Sequence, residues 1–103
     1  MVILSQDNVS KLLRAVSDPT RRRILGLLAQ RGRTVSELVA EFHYSQPAIS
    51  KQLGVLEQAG LVVREREGTV CLCRLNLGSL KPALGWLKSL ESQYEERLYK
   101  FEQ

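Results

Sequence analysis

Histidine and cysteine are scarce in this chain. Its 103 residues hold one histidine, His43, and two cysteines, Cys71 and Cys73. Metal centres and acid–base sites draw on these residue types. No Asp, Cys or His stands at ligand spacing around His43, so neither a metal site nor a cofactor is expected. Two cysteines are too few for a disulfide scaffold. At i and i+2 on one strand they point to the same face, a poor geometry for bonding to each other. Beside Leu75 on that face they read as small buried hydrophobes, with a thiol-responsive pair as the alternative. Also missing is any apolar run near the ~18 residues of a membrane span. The opening Met1-Val2-Ile3-Leu4-Ser5-Gln6-Asp7 lacks the basic start and long apolar core of a secretory signal. A cytoplasmic location without membrane partners is the expectation. There is no Gly-rich phosphate loop and no nucleophile–base pairing, which argues against an enzyme. No repeat, low-complexity segment or linker divides the sequence, so a single domain over residues 1–103 is expected.

What is abundant is positive charge, and it is unevenly placed. The net charge is +4. Through Leu75 there are 11 Lys/Arg against 7 Asp/Glu, and from Asn76 onward 4 against 4. The excess therefore surrounds the middle of the chain, which suits a polyanionic partner.

That middle, Thr34 to Leu61, reads as two helices around a tight turn. Thr34 and Glu37 form a capping box at the start of the first, whose apolar positions Leu38, Val39 and Phe42 share a face. The turn is expected at His43-Tyr44-Ser45. Ser45 is a good N-cap for the second helix, spanning 46 to 59, and Pro47 sits in its first turn, where a missing N–H costs nothing. Ile49, Leu53 and Leu56 make its apolar stripe, and Gly60 supplies a left-handed stop. Outward lie Gln46, Pro47, Ser50, Lys51, Gly54 and Glu57. Gln and Ser hydrogen-bond base edges, Lys reaches phosphate or guanine, and the helix dipole is positive at this end. The pattern is helix-turn-helix.

The flanking segments fit around it. Val9, Leu12, Leu13 and Val16 form the stripe of a first helix over Asp7 to Val16, capped by Asp7 or Ser5, which packs within the chain or faces a second subunit. Asp18 caps the next helix, with Pro19 at its first position, Ile24, Leu25, Leu27 and Leu28 on its buried side and Gly32 at its end. Arg21, Arg22 and Arg23 crowd its first turn. They pair with carboxylates such as Asp18, lay their stems on apolar surface, or contact phosphate. After Gly60, Leu61 to Glu67 and Val70 to Leu75 alternate as two strands about Gly68-Thr69. This hairpin is a wing, presenting Arg64 and Arg66 near its tip and Arg74 on the return strand, with Glu65 and Glu67 between them. A last helix runs from about Leu77 to Phe101, tolerating Pro82. Its stripe of Leu80, Leu84, Leu87, Leu90, Tyr94, Leu98 and Phe101, widened by Ala83 and Trp86, is too long for a domain of this size to bury. The same helix of a second subunit is the economical partner.

These motifs resemble the ArsR/SmtB family of winged-helix transcriptional regulators. The carrying residues are Ser17-Asp18-Pro19-Thr20-Arg21-Arg22-Arg23-Ile24-Leu25, Thr34-Val35-Ser36-Glu37-Leu38, Ser45 through Leu53, Ala59-Gly60-Leu61-Val62, Glu67-Gly68, and Arg74-Leu75-Asn76 running into Trp86-Leu87. The match spans about residues 8 to 100. The resemblance implies a homodimer joined through the first and last helices, binding an inverted-repeat operator in double-stranded DNA, repressing a nearby gene and released by a protein or small-molecule effector. Members that sense metals carry cysteines on the helix occupied here by Glu37 to Phe42, or histidines on the last helix. Both are missing, so the branch without metal sites is the nearer likeness. Gln52 stands where many relatives have histidine.

The expected architecture is mainly α with a small β-hairpin: a winged helix-turn-helix of about five helices plus a two-stranded wing. In the expected DNA interface, Gln46 and Ser50 read bases. Ser45 and Lys51 hold phosphate, Pro47 and Gln52 complete the helix surface, and Arg64 and Arg66 lie along the backbone or minor groove. The expected dimer interface is Val9, Leu12, Leu13 and Val16 with Leu84, Leu87, Leu90 and Tyr94. The rival reading is a winged-helix protein-interaction module that does not bind DNA.

Overall fold

A computed structural model of the chain describes residues 2–102, with side chains from Asn8 to Lys100. Its elements run α1 (Val2–Ala15), α2 (Pro19–Gln30), β1 (Arg33–Thr34), α3 (Val35–Ala40), α4 (Gln46–Gln58), β2 (Val62–Glu67), β3 (Val70–Leu75), a 3-10 turn (Leu77–Leu80) and α5 (Lys81–Glu102).

Local chemistry sets the helix starts. Asp18, in extended backbone, accepts a hydrogen bond from the Arg21 amide at 3.1 Å and opens α2 ahead of Pro19. Thr34 Oγ1 accepts from the Glu37 amide at 3.1 Å, while the Glu37 carboxylate accepts from the Thr34 amide at 3.0 Å, so the capping box is complete. Ser45 accepts from the Ala48 amide at 3.3 Å to open α4.

The predicted stripes meet in one core: Ile24 and Leu28 from α2, Leu38 from α3, Ile49, Leu53 and Leu56 from α4, then Leu61, Val62 and Cys73 from the sheet. Burying each large aliphatic side chain contributes about 1.5–3 kcal/mol. At the end of α4, Gly60 takes φ +77° and turns the chain into β2. Gly68, at φ +60°, turns β2 into β3.

Several boundaries differ from the sequence reading. The first helix begins at Val2, five residues earlier than expected, so Ser5 and Asp7 lie within it rather than capping it. Their side chains, like those of Ile3, Leu4 and Phe101, fall outside the described residues. Helix α3 ends at Ala40, and the turn spans residues 41–45 rather than three; Phe42 is buried from the turn itself. Gly32 does not end α2, which stops at Gln30 with Arg31 as an extended C-cap. Gly32 instead lies so close to β3 that a Cβ there would meet the Cys73 carbonyl at 3.4 Å. Next to it lies a strand not foreseen: β1 pairs with β3, Arg33 opposite Cys73 and Thr34 opposite Leu72. The sheet is thus three-stranded and antiparallel in the order β1-β3-β2, not two-stranded. Leu77 to Leu80 forms a 3-10 turn, and α5 starts only at Lys81, with Pro82 in its first turn.

The overall outline is elongated. The radius of gyration is 17.2 Å and the extents are 62 × 29 × 20 Å, where a compact chain of this length has a radius near 13 Å. Helix α5 accounts for the excess. It packs on α1 near its start, where Ala83 is buried, and every side chain from Leu84 to Lys100 is exposed.

Candidate nucleic-acid interface

The exposed head of α4 forms the centre of the site. Gln46, Pro47 and Lys51 are exposed around the capped N-terminus, while Ser50 and Gln52 are half-buried on opposite flanks. On one flank stands the hairpin. Its strands pair Arg64 with Cys73 and Arg66 with Cys71. Alternation along β2 puts Val62, Arg64 and Arg66 on one face, buried, half-buried and exposed in turn. Between α4, the start of α3 and the wing lies an open cleft of about 480 Å³ lined by Ser36, Gln46, Ser50, Arg64, Arg66 and Thr69.

Arg64 does not stand at the wing tip as expected. Its side chain folds back onto α4, where Nε and Nη2 each reach Glu57 Oε1 at 2.6 Å and Nη1 donates to Ser50 Oγ at 3.2 Å. Arg66 is exposed and, among the described residues, has no ion-pair partner. Arg74 faces Glu65 at 3.8 Å on the other side of the hairpin, both well exposed.

The opposite flank of α4 meets the arginine run of α2. Arg21 donates from Nη1 to Gln52 Oε1 at 2.8 Å, and from Nε and Nη2 to the carbonyls of Ala15 and Arg14 at 2.7 and 3.1 Å. Arg22 donates to the Val16 carbonyl at 2.7 Å. Arg23 donates to the Glu41 carbonyl at 2.9 Å, its guanidinium carbon 4.6 Å from the centre of the Phe42 ring. Of carboxylate pairing and apolar cover, the alternatives that contacts within the chain decide, only Arg23 on Phe42 matches one. The main partners are backbone carbonyls at helix C-termini. Gln52 is therefore not a free reader: its amide oxygen is taken, leaving its –NH2 as the available group.

Tyr44 is a feature the sequence reading passed over. It stands half-exposed next to the Ser45 cap, its ring stacked on Phe42 at 5.9 Å and 17°. The Arg23–Phe42–Tyr44 stack holds an aromatic hydroxyl at the mouth of the turn. The i, i+2 aromatic pair was the available signal.

The cysteines are both free, Cys73 fully buried and Cys71 half-buried. Burial, then the neighbouring Cys71, pushes the Cys73 thiol up to about 11, so at neutral pH it is a protonated core group, not a nucleophilic thiolate. On the expected dimer surface, Leu13 is 38% exposed and Leu84, Leu87, Leu90 and Tyr94 are 45–62% exposed. Leu12 differs: at 4% exposure it packs into the chain's own core, because it shares the inward side of α1 with Ala15.

A capped, polar-headed helix braced by a hairpin on one side and by a helical core on the other defines a winged helix-turn-helix, a DNA-binding transcriptional regulator. The family described as bacterial regulatory protein, arsR family, matches residues 18–64. The chain is 34% identical over 79 residues to the transcriptional repressor SdpR of Bacillus subtilis, covering 77% of this chain and 88% of that protein. It is 42% identical over 69 residues to the HTH-type transcriptional repressor SmtB of Mycobacterium tuberculosis, covering 67% of this chain and 51% of that one, about half its length. A crystal structure of an ArsR family transcriptional regulator is similar at a TM-score of 0.82 and 29% identity, covering 87% of this chain and 93% of that chain. The chain belongs to the ArsR family. These relatives are transcriptional regulators, not enzymes.

Proposed function

We propose that the protein is a homodimeric repressor that binds an inverted-repeat operator, with α4 in the major groove. The observation that carries this reading is the exposed polar head of α4, Gln46, Pro47 and Lys51, beside the exposed Arg66 of the wing. Gln46 reads a base edge, Lys51 and the Ser45 turn hold phosphate, and Arg66 follows the backbone or minor groove. The second subunit docks on α5, with Leu13 and Val16 of α1 at the edge, and a two-fold axis presents two α4 helices to half-sites about one helical turn apart.

The test is binding to a duplex from the gene's own upstream region against a shuffled duplex, across a salt series. Tight, sequence-dependent binding at two chains per duplex, falling steeply with salt, is the expected result. Equal, weak binding to both duplexes at every salt concentration would overturn it in favour of a protein-interaction module.

A further inference from the structure

We propose that Arg64 is a positioning residue for base recognition: it fixes the Ser50 hydroxyl as a hydrogen-bond donor toward the DNA, and so turns the recognition helix against cytosine at one base position. This rests on the operator-binding reading above.

The sequence offers Arg64 and Arg66 as equivalent wing cations. The structure separates them. The Arg64 charge is neutralised by Glu57, with both side chains withdrawn from solvent to 23% and 33% exposure. A phosphate arriving here would meet a carboxylate already holding two of the guanidinium's N–H groups. Arg66, two residues on, is exposed and is the cation left for the backbone.

The third contact of Arg64 has a consequence for chemistry. A serine hydroxyl has one proton and two lone pairs, and it donates or accepts as its rotor allows. Ser50 Oγ accepts from Arg64 Nη1 at 3.2 Å. With a cationic donor on one lone pair, the hydroxyl proton is driven away from the guanidinium. Among the described residues Ser50 Oγ has no hydrogen bond besides the one from Arg64, although a mid-helix serine commonly donates to the carbonyl one turn back. The proton is left facing the open cleft between α4 and the wing. Glu57 holds Arg64 in this pose through a fork that a point charge does not reproduce.

In the major groove, guanine and adenine offer N7, guanine adds O6, and thymine offers O4. Cytosine offers only the N4 amino group, a donor. A Ser50 whose proton points into the groove donates to guanine, adenine or thymine, and meets cytosine N4 only with its one remaining lone pair, on an oxygen already polarised by Arg64, so cytosine is disfavoured. Freed from Arg64, the same hydroxyl rotates and accepts from cytosine N4.

The experiment is binding-site selection from a duplex library with one half-site randomised, run on the full chain as wild type, Ser50→Ala, Arg64→Ala and Glu57→Gln, alongside the salt slope for the best duplex. In the wild type, cytosine is depleted about fivefold at one position, the scale of a single hydrogen bond. Ser50→Ala and Arg64→Ala each abolish that depletion at the same position and leave other positions intact. Arg64→Ala leaves the salt slope unchanged. Glu57→Gln, which keeps the arginine but loosens it, weakens the depletion and serves if Arg64→Ala misfolds. Three results overturn the proposal: cytosine depletion surviving in Arg64→Ala, no cytosine depletion in a wild type that selects bases elsewhere, or a slope lowered by about 0.9, the mark of one lost phosphate contact. A wild type that selects no bases at all removes the operator-binding reading and this one with it.

Discussion

Arginine explains more of this molecule than its net charge does. Four arginines serve carbonyls at helix C-termini: Arg21 and Arg22 those of α1, Arg33 the Leu27 carbonyl of α2, and Arg23 the Glu41 carbonyl after α3. A cation is favourable at the negative end of a helix dipole. This resolves the awkward run at the start of α2, where Arg21 to Arg23 sit at the wrong end of their own helix but at the right end of two others. Part of the positive charge is thus structural, while Lys51 and Arg66 stand exposed on α4 and the wing. Arg21→Ala should lower stability by about 2 kcal/mol, since it removes three charge-assisted hydrogen bonds. Arg21→Lys should recover little, because an ammonium does not reach all three acceptors. Urea unfolding at constant m-value measures both. Glu37 makes a pH prediction. Hydrogen bonds from Arg31, at 2.8 Å, and then from Thr34 hold its carboxyl down to about 2. A depressed carboxylate stabilises the fold fully above its ordinary value, and that stability is lost as pH falls through the folded value. The Tm difference between wild type and Glu37→Gln should therefore be constant above about pH 5 and shrink between about pH 4.5 and 2. A difference independent of pH in that window would show that the carboxylate charge plays no part in the cap.

At the scale of elements, what was legible followed how local the determinant is. The starts of α2, α3 and α4 came from caps one turn long, Asp18, Thr34 and Ser45, and the structure keeps all three. Strand β1 was invisible because two residues carry no period; it is defined by its pairing with β3, far along the chain. The wing's place was readable from alternation, but not the fate of Arg64, whose partners Glu57 and Ser50 lie on another element. Leu12 and Leu13 were indistinguishable within one stripe, and only packing sent the first inward. The α4–β2 junction gives a paired test. Gly60 sits at φ +77° with Ser79 Cβ 3.4 Å from where a Cβ would stand, whereas Gly54 lies inside α4 with nothing within 4 Å. Gly60→Ala should destabilise by about 1–2 kcal/mol, the left-handed penalty. Gly54→Ala should stabilise by about 0.5–1 kcal/mol, the helix-propensity gain. Thermal unfolding of the two variants should move in opposite directions, and a shift of equal sign would contradict the assigned role of Gly60.

For the whole molecule, the decisive feature is a helix that runs on well past the body it grows from. The 22 residues of α5 span about 33 Å at 1.5 Å per residue, yet among its described side chains only Ala83 is buried. Beyond it, Leu84, Leu87, Leu90, Tyr94 and Leu98 continue the same stripe into solvent. A contiguous apolar stripe of that length is rare on a monomer, and its threes-and-fours spacing suits a second copy of the helix. The consequence is a separation of assembly from folding. Leu87 and Leu90 are 45% and 46% exposed in the single chain, so Leu87→Glu with Leu90→Glu should change the stability of the isolated fold by only about 0.5 kcal/mol. The same pair should halve the mass seen by light scattering, and it should weaken operator binding at least tenfold, because two half-sites are then no longer held by one particle. Tyr99 supplies the control. It is more exposed than either leucine, at 63%, but lies off the stripe, so Tyr99→Glu should leave both mass and operator affinity where they were. A double variant that keeps the wild-type mass would remove α5 as the interface. Loss of mass in Tyr99→Glu as well would mean that the helix associates through more than its apolar stripe.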